Sequence, residues 1–336
     1  MSAGRPLVDV RDLVVEFAAR SGDRGTVRAV DGVSFAIKRG ETLGLVGESG
    51  SGKSTVARAL VGLNEPAGGS VRFDGTELVG IEARELRAMR RSVQLVFQDP
   101  YANLNPAWTV AALVEEPLKR LRGLDRAARR RRAEELLDTV GLTGRLLSRR
   151  PRELSGGQRQ RVGIARALAA EPEMLVCDEP VSALDVSIQA QVLNLLVELR
   201  DQLGLTCLFI AHDLSVVRWI CDRVAVMYCG QIVELGTTAQ VFEAPTHPYT
   251  RALISAAPST DPEVERARRP IVLQGEVPSP LDVAPAGCRF RERCWLHTAL
   301  GRPERCATER PALEPSGEAQ LAACHFSERT ATAVAA

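Results

Sequence analysis

The segment Gly47-Glu48-Ser49-Gly50-Ser51-Gly52-Lys53-Ser54 constrains this chain more than any other feature. It matches G-x-x-x-x-G-K-[ST] and stands between the apolar run 41–46, read as a buried strand, and spaced apolar residues over 54–63, read as a helix. Glycines are needed there because a backbone that curls round a phosphate must turn its N–H groups inward at close range. The helix that follows, with Thr55 in its first turn, adds the partial positive charge of its N-terminus. The pattern predicts a nucleoside triphosphate site, with Lys53 reaching the β- and γ-phosphates and the Ser54 hydroxyl binding Mg²⁺. Four fixed positions match by chance in roughly 1% of chains this long, so the flanking strand and helix strengthen the reading.

A second apolar run, Met174 to Cys177, ends in Asp178 and Glu179. Beside such a loop Asp178 can hold Mg²⁺, directly or through water, and Glu179 can orient and deprotonate the water that attacks the γ-phosphate. Further strands are expected at 93–97, 206–211 and 223–228, with helices at 127–140, 158–170 and 188–203 between them. This alternation predicts an α/β core with a parallel sheet. From about Ser259 a run of prolines changes the texture, which places a boundary after residue 258 and a frayed tail over 327–336.

Composition limits the remaining options. Across 336 residues, 45% are hydrophobic and 25% charged, with a net charge of +1, so no broad electrostatic attraction to nucleic acid is expected. The basic run 126–132 reads as one solvated helix face. No stretch reaches the ~18 apolar residues that cross a bilayer, so a membrane role must come through partners.

Leu154-Ser155-Gly156-Gly157-Gln158-Arg159-Gln160 lies shortly before the acidic strand. It is another helix N-terminus, with Ser155 and two glycines exposing N–H groups to an anion. The segment resembles the signature motif of ABC ATPases. Other positions fit the same family: Gln98 resembles the Q-loop glutamine that contacts Mg²⁺, Ser182-Ala183-Leu184-Asp185 the D-loop, and His212 the switch histidine that contacts the γ-phosphate. The resemblance runs from about residue 7 to 326. It implies a P-loop core with a helical signature subdomain at about 99–172 and an irregular, cysteine-containing extension over 259–326. It also implies head-to-tail dimers, each ATP held between one P-loop and the Ser155 to Gln158 segment, with Asp185 nearby. One position departs from the family: the adenine-stacking slot falls near Arg24, with Phe17 the closest aromatic.

Stretches such as Thr246-His247-Pro248-Tyr249-Thr250-Arg251-Ala252-Leu253 and Gly287-Cys288-Arg289-Phe290 resemble the oligopeptide/dipeptide importer branch, and Val181-Ser182-Ala183 its second ATPase subunit. That branch implies two transmembrane permease subunits, a related ATPase partner and an extracytoplasmic substrate-binding protein, with this chain peripheral on the cytoplasmic face. Peptide is the expected cargo; nickel or another small solute is the alternative. ABC ATPases that act on DNA or ribosomes usually have tandem cassettes, long coiled-coil insertions or strongly basic regions, and an iron–sulfur redox role would not need the full set of hydrolysis residues.

Eight cysteines are present. Cys177, Cys207, Cys221 and Cys229 sit in apolar contexts and read as small buried hydrophobes. Cys288, Cys294, Cys306 and Cys324 contain no C-x-x-C pair, which disfavours a zinc ribbon and leaves unliganded thiols open. The branch resemblance implies the other option, a [4Fe–4S] cluster on these four residues.

Overall fold

The runs that read as buried strands are buried on both faces and pair in parallel. The structure, a computed structural model, describes residues 5–18, 26–258, 262–278 and 286–332. The expected slot at Arg24 lies outside them. Among the described residues twelve strands form two sheets: β1 (Val8–Ala18), β2 (Thr26–Ile37), β3 (Thr42–Val46), β4 (Gly68–Phe73), β5 (Thr76–Glu77), β6 (Val93–Val96), β7 (Met174–Asp178), β8 (Thr206–Ala211), β9 (Arg223–Tyr228), β10 (Gln231–Thr237), β11 (Glu314–Gly317) and β12 (Gln320–Ala322).

The larger sheet has the order β11-β12-β10-β9-β3-β8-β7-β6. Its members from β9 to β6 are parallel, and β10, β12 and β11 add an antiparallel edge. All residues of β3, β7 and β8 are buried, as expected of a parallel sheet covered on both faces. The central position of β3, between β9 and β8, puts the loop that follows it at the carboxyl end of the sheet, where α/β folds place ligands.

The smaller sheet, β2-β1-β4-β5, is antiparallel and packs its apolar face, including Val8, Val10, Leu13 and Val15, on the core side of β3. Helices Val110–Arg122, Arg126–Thr139 and Gly156–Leu168 pack together through Leu113, Val114, Leu118, Leu136, Leu137 and Val162. On the second helix Arg130 and Arg132 face outward and pair with Glu134 and Glu135, the solvated face expected of that basic run.

The segment beyond residue 258 joins the main sheet through β12, which pairs with β10 at Glu234↔Ala322 and Leu235↔Leu321. Glu234 is fully buried and accepts hydrogen bonds from Thr246 N, His247 N and Gln320 Nε2. Residues 327–332 correct the expectation of a frayed tail. Ser327–Arg329 form a helical turn, and Thr330 is buried with its hydroxyl donating to Thr246 O. These contacts supply the ordering that a free terminus lacks; residues 333–336 lie outside the described residues.

Candidate active site

The loop after β3 curls so tightly that its glycines are needed. Gly52 sits at φ +103°, and a Cβ there would run into the Ala29 carbonyl oxygen. The helix Lys53–Leu60 begins at this residue, and no side chain caps it. Lys53 is almost fully buried and donates to Gly47 O and Glu48 O, both at 2.8 Å. Burial lowers its pKa, opposed by the nearby carboxylates of Glu179, Asp178 and Glu48. Ser51 is buried beneath the loop and its carbonyl accepts from Gly230 N at 2.9 Å. Ser49, Gly50, Gly52, Lys53, Ser54 and Thr55 line one open cavity with Ala29, Gln98, Glu179 and His212.

The Ser54 hydroxyl donates to Asp178 Oδ1 at 2.8 Å, joining the start of the helix to the end of β7. Burial raises the Asp178 pKa, partly offset by the Ser54 bond. Such a buried carboxylate beside a hydroxyl suits a hard divalent cation with oxygen ligands. Glu179 follows in the left-handed region at φ 46°, unusual for a non-glycine residue, with its N–H fixed on Ile210 O at 3.0 Å. Gln98 Nε2 donates to Glu179 Oε2 at 2.8 Å, and His212 Nδ1 lies 3.6 Å from the same oxygen. Residues from three separate loops therefore meet at one carboxylate.

The signature segment does not join them. Among the described residues none of 154–158 lines that cavity. Ser155 caps the helix Gly156–Leu168: its hydroxyl accepts from Gln158 N at 3.2 Å, and Gln158 Oε1 accepts from Ser155 N at 3.0 Å. A Cβ on Gly157 would run into Ile188, and one on Gly156 would press on Leu184. Asp185 also stands apart from the cavity. It caps the helix Val186–Leu203 by accepting from Ile188 N at 3.0 Å and Ser187 Oγ at 2.8 Å, bonds that lower its pKa.

Comparison with known proteins fits this geometry. The pattern of the ABC transporter family matches residues 30–182, and that of the oligopeptide/dipeptide transporter C-terminal region matches 233–300. The chain is 50% identical over 317 residues to the oligopeptide transport ATP-binding protein OppF of Escherichia coli, covering 92% of this chain and 93% of OppF. It belongs to the ABC transporter ATPases. It is likewise 50% identical to the putative oligopeptide transport ATP-binding protein YkfD of Bacillus subtilis, over 96% of this chain and 95% of that protein. The ATPase also superposes on the dimeric, post-hydrolysis cassette MJ0796 bound to ADP and Pi, with a TM-score of 0.63 and 33% identity, covering 69% of this chain and 98% of that one. CbiO1 of Clostridium perfringens, part of the transporter complex cbiONQ, gives a TM-score of 0.63 at 30% identity, over 72% and 92% of the two chains.

In the extension of this ABC ATPase, Cys288, Cys294, Cys306 and Cys324 line one small cavity with His297, Phe290 and Leu296. Backbone N–H groups of His297 and Phe326 point at Cys294 Sγ (3.3 Å) and Cys324 Sγ (3.5 Å). Burial pushes the thiol of Cys288 up to about 11 and those of Cys294 and Cys324 up to about 12. Among the described residues no group of three or more His, Cys, Asp or Glu side chains is arranged to hold a metal ion as it stands. The other four cysteines are buried in the core, as expected.

Sequence reasoning missed several residues around the loop. Tyr249 Oη accepts from Glu48 N at 3.0 Å, and Arg293 pairs with the Glu48 carboxylate. Tyr249 lies in a stretch that marked the importer branch without suggesting a role. Nothing local in the sequence pointed to Arg293.

Proposed function

We propose that this ATPase energises a di- or oligopeptide importer by ATP-driven closure of a head-to-tail dimer. The observation that carries the site assignment is the convergence of Gln98 and His212 on the Glu179 carboxylate, beside the Ser54–Asp178 pair. In this reading the loop N–H groups, the helix N-terminus and Lys53 hold the triphosphate. Ser54, Gln98 and Asp178 are the residues that would hold Mg²⁺, which supplies neutralisation of phosphate charge. Glu179 orients the attacking water and takes its proton as the water oxygen bonds to the γ-phosphorus and the bond to the ADP oxygen breaks. His212 steadies the γ-phosphate. The separation of Ser155, Gly156, Gly157 and Gln158 from the chain's own cavity is what a composite site requires, since each signature helix would then serve the ATP of the opposite subunit.

Peptide as cargo rests on the 50% identity to OppF and YkfD along nearly the whole chain. Among the described residues no helix is long and apolar enough to cross a membrane; in this reading permease subunits form the path. A cavity lined by Val96, Phe97, Asn103, Leu104 and Arg166, next to Gln98, is the place for them to dock on the cytoplasmic face. A related ATPase completes the dimer, and a binding protein delivers substrate outside. The four extension cysteines have the soft donor set of a [4Fe–4S] cluster, and the N–H groups at Cys294 and Cys324 suit ligated sulfur. Such a cluster would supply cross-links within the extension. Iron and sulfide assays after anaerobic purification test it; finding neither removes it.

The deciding experiment is co-purification with the membrane and ATPase subunits, comparing turnover of the native chain and Glu179→Gln. We expect the variant to bind ATP and to hydrolyse it about a thousandfold more slowly, the scale of a lost general base. Equal turnover removes Glu179 from that role, and absence of a membrane partner removes transport.

A further inference from the structure

A carboxylate at the second position of a phosphate-binding loop has the wrong sign for its ligand. Glu48 stands directly after Gly47, with its carbonyl on Lys53 Nζ and its side chain only half-buried. Left alone, that charge would repel a triphosphate in the neighbouring cavity. It is not left alone. Arg293, in the turn Arg291–Arg293 of the extension, grips it with two parallel bonds, Nη1 to Oε2 at 2.7 Å and Nη2 to Oε1 at 3.2 Å. The Arg293 side chain is 9% exposed and its guanidinium lies 5.9 Å from the Tyr228 ring centroid. Tyr228 packs in turn on Tyr249, whose hydroxyl accepts from the Glu48 N–H.

The extension therefore holds this loop position by its carboxylate and, through packed aromatics, by its backbone. A bidentate pair of this kind, with its arginine nearly buried, is geometrically specific, and a lysine could not reproduce its fork. A second tie has the same sense: Arg289 and Arg310 of the extension both pair with the buried Asp31, two residues beyond the Ala29 carbonyl that packs on Gly52.

We propose that Arg293 is a positioning residue for nucleotide binding, which neutralises Glu48 and fixes the phosphate loop from the extension. The proposal rests on the ATP site described above. The variant Arg293→Met leaves Glu48 uncompensated. An uncompensated unit charge beside the phosphate loop, at an effective dielectric constant near 20, should lower the affinity for MgATP about tenfold.

Titration of the full-length chain with a fluorescent ATP analogue, together with KM and kcat for hydrolysis, tests this. Arg293→Met is expected to raise Kd and KM about tenfold with kcat changed less than about twofold, and the difference from wild type should shrink as salt is raised. Adding Glu48→Gln in that background should bring Kd back to within about threefold of wild type, because the offending charge is gone. A merely structural Arg293 would give no such rescue. Wild-type affinity in Arg293→Met, or no recovery in the double variant, overturns the proposal. If Arg293→Met does not fold, Arg293→Lys is read instead: it keeps the charge but loses the fork, so a rise of about threefold in Kd supports the proposal and an unchanged Kd overturns it. Failure of wild type itself to bind the analogue would count against the ATP site and not against Arg293.

Discussion

The helix Lys53–Leu60 begins at left-handed Gly52 with no side-chain cap, whereas Gly156–Leu168 begins at Ser155, closed by a reciprocal pair of bonds with Gln158. Both starts are glycine-rich and both are assigned to phosphate, yet their resting states differ. The first keeps its N-terminal charge uncapped beside a cavity, and its lysine already lies against the loop carbonyls. It is preorganised and needs little rearrangement when an anion arrives. The second has its first-turn donors partly satisfied within the chain. An arriving phosphate must trade against a bond of similar worth, so contact there gains little net energy and can be undone. In the proposed dimer, strong holding by one helix and reversible touching by the other would suit a clamp that closes on ATP and opens after hydrolysis.

The sharpest way to break this contrast is Lys53→Ala. Loss of a buried charge-assisted contact should weaken ATP binding roughly a hundredfold in a direct titration, and a drop under threefold would mean the loop is not the strong holder. Next comes Gly157→Ala, whose new methyl meets Ile188. Displacing that side chain should lower turnover in the assembled transporter about tenfold, with a smaller change in binding at the chain's own loop. If binding falls as far as turnover, the two ends are not separate in function. Smallest is Ser155→Ala, expected to remove about 1 kcal/mol of stability in denaturant unfolding by loss of the cap. No change in stability would show that the cap contributes nothing in solution and that the two helix starts are alike.

Legibility followed the length scale of the physics. Strands β8 and β9 begin and end where the apolar runs predicted, because burial on both faces leaves a continuous signal. The helix at Gly156 was readable from Ser155 and the two glycines, local caps with local causes. In contrast β1 pairs with shifted register around Asp12, at φ 47°, and this bulge interrupts the alternation that would have marked a half-buried strand. The candidate site divides the same way. Asp178 and Glu179 are readable because they close an apolar strand beside the phosphate loop, and Gln98 and His212 through the family resemblance; the strands of one parallel sheet bring these ends together. Arg293 and Glu48 are 245 residues apart, and no period or motif connects them.

The pairing of β12 with β10 sets a timetable for the newborn chain. The nucleotide loop, both carboxylates and every parallel strand leave the ribosome well before Gln320 does, and at about 5–20 residues per second the interval lasts seconds. Throughout it β10 presents an unpaired backbone edge, and Glu234 lacks the amide of Gln320 that it later holds. A chain cut short before Gln320 keeps that edge open and stays marked as unfinished, even with the phosphate loop and both carboxylates already made.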